Sequence, residues 1–506
     1  MESQNINHED EKIIENKELN IWEALIPVAA LIGMLAFNVL LVYGNDALSG
    51  SNQFILLLGA AVAAIVGFRN KISYESMVEE VAQNLKSTTG AILILLMVGA
   101  LAGTWLISGI IPTMIFYGLD ILNPTIFLAA CVVICAVISV ATGSSWTTSA
   151  TVGIALIGIA GALDIDAGMT AGAVLSGAYF GDKLSPLSDT TNLAPAMAGT
   201  DLFTHIRYML LTTVPTIIVT LIVFIIIGFS IDHTGKADIS AYQTAIDGTF
   251  NTSPWLFVVP VLVIAMIVKK VSPLIALLVG TLLAAAAALI FQPELVHAAS
   301  GLEKWDFVSA YKGIMNAITV DTSIAPVTDN AEIGEKLAGL FEASGMAGMM
   351  GTIWLIICAM VFGGVMDAIG ALATISKALL NMFDSVFGLF ASTVVSCLAI
   401  NITASDQYLA IVVPGKMYAK AYKDKGLAPE NLSRTLEDSG TVTSVLIPWN
   451  TCGAYHSTTL GVDVISFLPY AIFNYLSPFM TLIFAAFRIK IKELSGNAAS
   501  DERVNL

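Results

Sequence analysis

The sequence predicts an all-α polytopic membrane protein, built as two inverted-topology repeats whose discontinuous or re-entrant helices meet at a central site. Three observations carry this expectation. Of 506 residues, 56% are hydrophobic and only 12% are charged, against roughly 25% charged in an ordinary soluble domain. A series of apolar runs approaches the ~20 residues that cross a bilayer as a helix. Polar, helix-breaking clusters interrupt those runs in both halves, and lipid tolerates broken backbone only where protein or a water-filled cavity surrounds it.

The elements follow in order. Residues 1–20 are polar and charged, unlike a signal peptide, and read as a disordered cytoplasmic tail. The first repeat, 21–230, offers spans at about 21–43, 54–68, 90–111, 126–142 and 146–163. A sixth at about 168–180 runs into polar sequence, and a seventh covers about 205–230. An extracellular loop is expected at 231–253. The second repeat, 254–487, offers about 254–268, 272–291, 350–372, 387–403, 406–418, 434–447 and 464–487. It carries an acidic insertion at 292–345, read as extracellular, and a cytoplasmic tail at 488–506 closes the chain. Ten to fourteen of these fourteen elements are expected to cross. Lys and Arg concentrate in short loops, at Arg69, Lys71 and Lys86, at Lys269 and Lys270, at Lys416 to Arg434, and at Arg488 to Lys492. Placing these on the cytoplasmic side puts both termini there.

The halves match at an offset of 262 residues. Trp146 falls on Tyr408, Gly153 on Gly415, Leu184 on Leu446, Pro186 on Pro448 and Asp201 on Asp463. Ser144 falls on Asp406 and Ser176 on Asp438. An odd number of spans per repeat would invert the second copy, as in many secondary transporters.

Four polar clusters carry the chemistry: Thr142 to Ser149, Ser176 to Asp201, Asn401 to Tyr408, and Leu436 to Gly453. At the same offset the first matches the third and the second matches the fourth. Their side chains are oxygen donors, which hard cations such as Na⁺ prefer. A carboxylate buried there holds a proton or a cation rather than staying bare, so competition for one carboxylate suffices for antiport. The candidate cation- and proton-binding residues are Asp189 and Asp438 first, then Asp182, Asp406 and Glu437. Ser144, Ser145, Asn192, Asn401, Thr441 and Asn450 are candidate neutral ligands. Trp146, Tyr179, Tyr408 and Trp449 are candidates to line an organic-solute pocket, with core packing the plainer reading. Plainer readings stand for others too: Asp182 pairing with Lys183, or Glu437 with Arg434 one turn earlier.

Composition limits the alternatives. A net charge of −16 argues against nucleic acid. The five cysteines form no CxxC pair and read as small core side chains rather than disulfides or zinc ligands. Neither an HExxH nor a GxSxG motif occurs, so no enzyme is expected, and no cofactor is called for.

The clusters resemble the NhaC family of bacterial Na⁺/H⁺ antiporters, within the ion transporter superfamily. The resemblance rests on GSSWTTSATVGIALIGIAGAL at 143–163 and SGAYFGDKLSPLSDTTNLAPAMAGTDLFTHIRYM at 176–209. It also rests on NITASDQYLAIVVPGKMYAKAYK at 401–423 and LEDSGTVTSVLIPWNTCGAY at 436–455. It implies exchange of cytoplasmic Na⁺ for external H⁺ across a bacterial inner membrane, by alternating access. The family includes malate/lactate-type carboxylate exchangers, and the acidic site itself would suit an amine or amino acid. A Na⁺- or H⁺-coupled organic-solute exchanger is therefore the rival expectation. The lipid bilayer, Na⁺ and H⁺ are the expected partners, with a homodimer as a further one.

Overall fold

The computed structural model describes residues 19–43, 50–121, 123–231, 239–381 and 385–494. Most of the expected tails, and part of the expected loop at 231–253, lie outside the described residues. Within them the regular structure is helical, save one two-stranded ribbon pairing Thr322–Ser323 with Glu342–Ala343 and a single bridge between Leu427 and Glu493. Eight described helices are long and apolar enough to cross a membrane. They are Ile21–Tyr43, Ser51–Arg69, Tyr74–Ile107, Ser145–Ala162, Leu202–Ser230, Pro273–Phe291, Gly345–Ala368 and Val386–Thr403. Two bent pairs bring the number to ten: Ile239–Thr249 with Pro254–Val268 at 86°, and Val464–Tyr470 with Ile472–Ala486 at 52°. Leu202–Ser230 turns Ile222, Ile226 and Phe229 outward, where lipid is the solvent that suits them.

Several boundaries differ from the sequence reading. The span expected at 90–111 belongs to a 34-residue helix that starts at Tyr74, because Ser73 caps its N-terminus by accepting from the Ser76 amide at 3.1 Å. Lys86 therefore sits within that helix rather than in a loop. Residues 239–249, expected as loop, are helical. The element expected at 434–447 is Pro429–Leu436, then a π-helical turn Glu437–Thr441, then a 3-10 turn Ser444–Leu446. Glycine in the middle and Pro448 beyond it, together with a dense run of hydroxyls, favour such a break over a straight span.

The offset of 262 residues recurs in the secondary structure. Ser145–Ala162 matches Gln407–Asp424 end for end, Ala167–Leu184 matches 429–446, and Asp189–Ala198 matches Thr451–Leu460. The caps repeat as well. Ser144 and Asp406 cap the first pair of helices, Ser188 and Asn450 the third. A tertiary bond repeats too: Ser139 Oγ donates to the Ala178 carbonyl at 2.5 Å, and Asn401 Nδ2 donates to the Gly440 carbonyl at 2.7 Å. Equivalent residues making equivalent bonds are what an internal duplication would leave behind.

Packing between broken elements is close enough to exclude side chains. A Cβ on Gly177 would lie 2.2 Å from the Val132 carbonyl oxygen, and one on Gly181 would lie 2.5 Å from that of Ala136. Helix Ala167–Leu184 thus meets Phe127–Thr142 backbone to backbone. The insertion, with helices Pro293–Ser300, Phe307–Thr319 and Ala331–Leu340, seats on Tyr74–Ile107 in the same way. A Cβ on Gly103 would lie 1.8 Å from the Ala317 carbonyl oxygen.

Candidate functional site

The broken helices build two polar compartments. The first is an open cavity of about 620 Å³, lined among others by Ser144, Trp146, Asp182, Asp189, Asp406 and Tyr408. Five helix N-termini reach it, through Ser144, Asp189, Pro273, Asp406 and Thr451. The carboxylates sit on those N-termini, where the helix dipole offsets part of the cost of burying negative charge. Asp182 Oδ2 accepts from the Ser145 amide at 3.0 Å and from Ser145 Oγ at 2.7 Å. Asp406 Oδ1 accepts from the amides of Tyr408 at 2.8 Å and Leu409 at 3.0 Å. Asp189 begins its own helix and is exposed. Ser144 accepts from the Thr147 amide at 3.1 Å.

The second compartment is closed. Asp438 is fully buried and forms an ion pair with the fully buried Lys183, 255 residues away. Its remaining lone pairs take hydroxyls: Thr212 at 2.8 Å and Thr481 at 2.5 Å on Oδ2, and Ser477 at 3.2 Å on Oδ1. Lys183 also donates to Ser477 Oγ at 3.1 Å and lies 5.4 Å from the Phe473 ring centre. Four elements from both halves are tied at this point. Beside it, Glu437 and Arg434 are fully buried, and none of their side-chain polar atoms has a hydrogen-bond partner among the described residues. The Arg434 guanidinium stacks over Tyr208 at 4.5 Å rather than pairing with Glu437. Thr441 Oγ1 is likewise without a partner.

The sequence candidates thus divide. Asp182, Asp189, Asp406, Ser144, Trp146 and Tyr408 come together in the open cavity, and Ser145 holds Asp182 there. Asp438 does not join Asp189 in one site, because it belongs to the closed compartment. Asn192 is exposed, and its amide closes the local turn on the carbonyls of Pro186 and Ser188 at 3.0 and 2.7 Å. Asn401 and Asn450 knit the broken helices: Asn401 Nδ2 also reaches Thr443 Oγ1 at 3.1 Å, and Asn450 Nδ2 donates to the Asn401 carbonyl at 3.1 Å. Trp449 Nε1 donates to the Ile402 carbonyl at 2.8 Å, and Tyr179 is fully buried with its hydroxyl unpartnered among the described residues.

Lys183 departs most from expectation. It does not pair with its neighbour Asp182; it neutralises Asp438 from the other half. Sequence reading also missed Thr212, Ser477 and Thr481, whose only signal was hydroxyls at helical spacing in apolar runs. It missed Lys270, which lies on the cavity wall although it follows an unrelated span.

A bundle of broken membrane helices around a carboxylate-lined cavity, with a buried ion pair joining its halves, is the architecture of a secondary transporter. Comparison with known proteins narrows the class. The chain belongs to the Na⁺/H⁺ antiporter family, which it matches over residues 177–489. It is 38% identical to the Na⁺/H⁺ antiporter NhaC of Alkalihalophilus pseudofirmus, over 85% of this chain and 88% of that one. It is 33% identical to the malate-2H⁺/Na⁺-lactate antiporter of Bacillus subtilis, over 85% and 88%. It is 31% identical to the arginine/ornithine antiporter ArcD of Halobacterium salinarum, over 94% of both.

Proposed function

We propose that this chain exchanges cytoplasmic Na⁺ for external H⁺ by alternating access in a bacterial inner membrane, with both termini on the cytoplasmic side. The observation that carries the reading is the placement of two consecutive residues. Asp182 lines the open cavity, while Lys183 is sealed against Asp438. A cation entering the cavity meets Asp182, Asp189 and Asp406, whose oxygens suit Na⁺. A carboxylate holds Na⁺ or H⁺ but not both, so loading one expels the other. Positive charge arriving at Asp182 repels the ammonium of the next residue. That repulsion weakens the ion pair holding the two halves together and favours the change of access. Protonation of the cavity carboxylates releases Na⁺ and lets the pair reform.

The test is lumenal pH in proteoliposomes after Na⁺, Li⁺ or K⁺ is added. Na⁺ alone should move protons, and Asp182→Asn should abolish the response in a protein that still folds. Full exchange by Asp182→Asn would remove Asp182 from the mechanism.

A second reading is a coupled organic-solute exchanger, favoured by cavity size. About 620 Å³ is far more than a bare cation needs and falls in the ~300–1,000 Å³ range of small-molecule sites. Trp146 and Tyr408 offer ring faces there, and Lys270 with the helix N-termini offers positive charge for a carboxylate. Two of the relatives named above are solute antiporters. Proton movement that appears only when malate, lactate or an amino acid is supplied would favour this reading over simple Na⁺/H⁺ exchange.

A further inference from the structure

A second cavity, of about 750 Å³, lies between the insertion and the bundle. Three helices, Tyr74–Ile107, Ser145–Ala162 and Thr451–Leu460, run along both cavities. On Tyr74–Ile107, Ser87, Ala91 and Ile94 line the first, and Val98, Ala102 and Leu106 line the second. Their spacing of three or four residues makes one continuous stripe of the helix. Ile94 and Val98 stand about 6 Å apart along the axis, at 1.5 Å per residue. On Thr451–Leu460, Thr451 faces the first cavity, and Thr458 to Gly461 face the second. That difference of position is about 10 Å of helix. The two cavities therefore lie end to end on one track, one to two helical turns apart.

Between Thr451 and Thr458 the same helix carries Tyr455, one half of an aromatic stack. Trp146 forms the wall of the first cavity and stacks on the buried Tyr455, with ring centres 3.9 Å apart and planes at 17°. The Tyr455 hydroxyl donates to the Trp146 carbonyl at 3.0 Å, so the ring is anchored at its tip. His456 meets Trp146 edge-on and bonds Ser149 at 2.9 Å.

The second cavity suits positive charge. The insertion supplies Asp321 and Glu342 to its wall. The C-terminus of Thr451–Leu460 reaches it, the negative end of a helix dipole. Thr459 lines it with a hydroxyl that is buried and has no partner among the described residues. Ile111, Ile154 and Leu340 add apolar wall, beside the hydroxyl residues Thr322, Ser323, Ser344 and Thr458.

We propose that this second cavity is the mouth of the transport path on the opposite face, where a hydrated monovalent cation binds at Asp321, Glu342 and Thr459. The stacked Trp146–Tyr455 pair is the septum that keeps the two mouths from opening together. The insertion is then one wall of the path rather than an appendage. The identity of the cation rests on the antiporter reading; the path itself does not.

The experiment places single cysteines at Ala91 and Ala102, the five native cysteines being buried. Each variant is labelled with a membrane-impermeant maleimide in right-side-out and in inside-out vesicles. Position 91 should label from one face only and position 102 from the other only. Adding Trp146→Ala should give labelling of both from a face where the parent shows none, and Trp146→Phe, which keeps a ring, should restore one-sidedness. Should Trp146→Ala not reach the membrane, Tyr455→Ala removes the other half of the stack. Labelling of 91 and 102 from the same face overturns the proposal, as does one-sided labelling that survives loss of the stack. In a second arm, Asp321→Asn with Glu342→Gln should weaken Na⁺ activation applied from the face that labels 102, and unchanged activation overturns the cation assignment. A two-faced labelling pattern in a protein that shows no Na⁺/H⁺ exchange would sink the antiporter reading and leave the path standing.

Discussion

Replacing Lys183 by methionine tests the buried ion pair quantitatively. Asp438 would keep the hydroxyls of Thr212, Ser477 and Thr481 but lose its only counter-charge among the described residues. Breaking a buried pair by removing one partner costs about 3–5 kcal/mol, because the survivor is an uncompensated charge. Asp438→Leu should fall at the upper end, since it leaves an ammonium with one hydroxyl and an aromatic ring. Removing both charges together is often neutral or stabilising by about 1–4 kcal/mol. The double variant should therefore be more stable than either single one, and the coupling energy should be at least as large as the two single costs together, about 6 kcal/mol. Equilibrium unfolding in mixed micelles gives all four corners of the cycle. The double variant should also fold yet show no Na⁺-driven proton movement. Single-variant costs that add to within about 0.5 kcal/mol would mean that the two charges are not coupled, and the reasoning would fail.

Other consequences are as direct. Asp406→Asn keeps the helix cap, because an amide oxygen can accept from Tyr408 and Leu409. It removes a cavity charge, so half-saturation for Na⁺ should rise at least tenfold, about 1.4 kcal/mol, with thermal stability little changed. Gly177→Ala would place a methyl 2.2 Å from a backbone oxygen that cannot swing aside; overpacking of about 1–3 kcal/mol should lower the unfolding midpoint. In the insertion, Lys336 bonds Asp164 at 3.1 Å and pairs with Glu332 at 3.3 Å. The bond to Asp164 holds its pKa above the ordinary lysine value. A raised lysine value means the tether is fully present below about pH 10.4 and is lost as pH rises through the folded value. Amide exchange in Ala331–Leu340 should therefore quicken, beyond the usual base catalysis, in strongly alkaline buffer. Lys336→Met should show the faster exchange at every pH and no such step.

The sequence alone determined most of the helices and the polar clusters at which several of them break. Apolar runs require helices in lipid, and glycine, proline and dense hydroxyls disfavour a continuous ladder. The offset of 262 residues, read from a few identities, recurs in the helix ends and caps because those depend on local residue type. The carboxylates Asp182, Asp189 and Asp406 were legible as a group because they flank the breaks, and the breaks form the cavity. Only the tertiary structure decided how the charges are partnered. Asp182 and Lys183 are neighbours in sequence, yet helical geometry turns successive residues about 100° apart, so one faces the cavity and the other the opposite half. Asp438 finds its counter-ion 255 residues away and its hydroxyls on two further helices. Lys270 reaches the cavity from a helix end that carries no polar cluster of its own. Local periodicity records which face of a helix is buried, but not which distant residue packs against it.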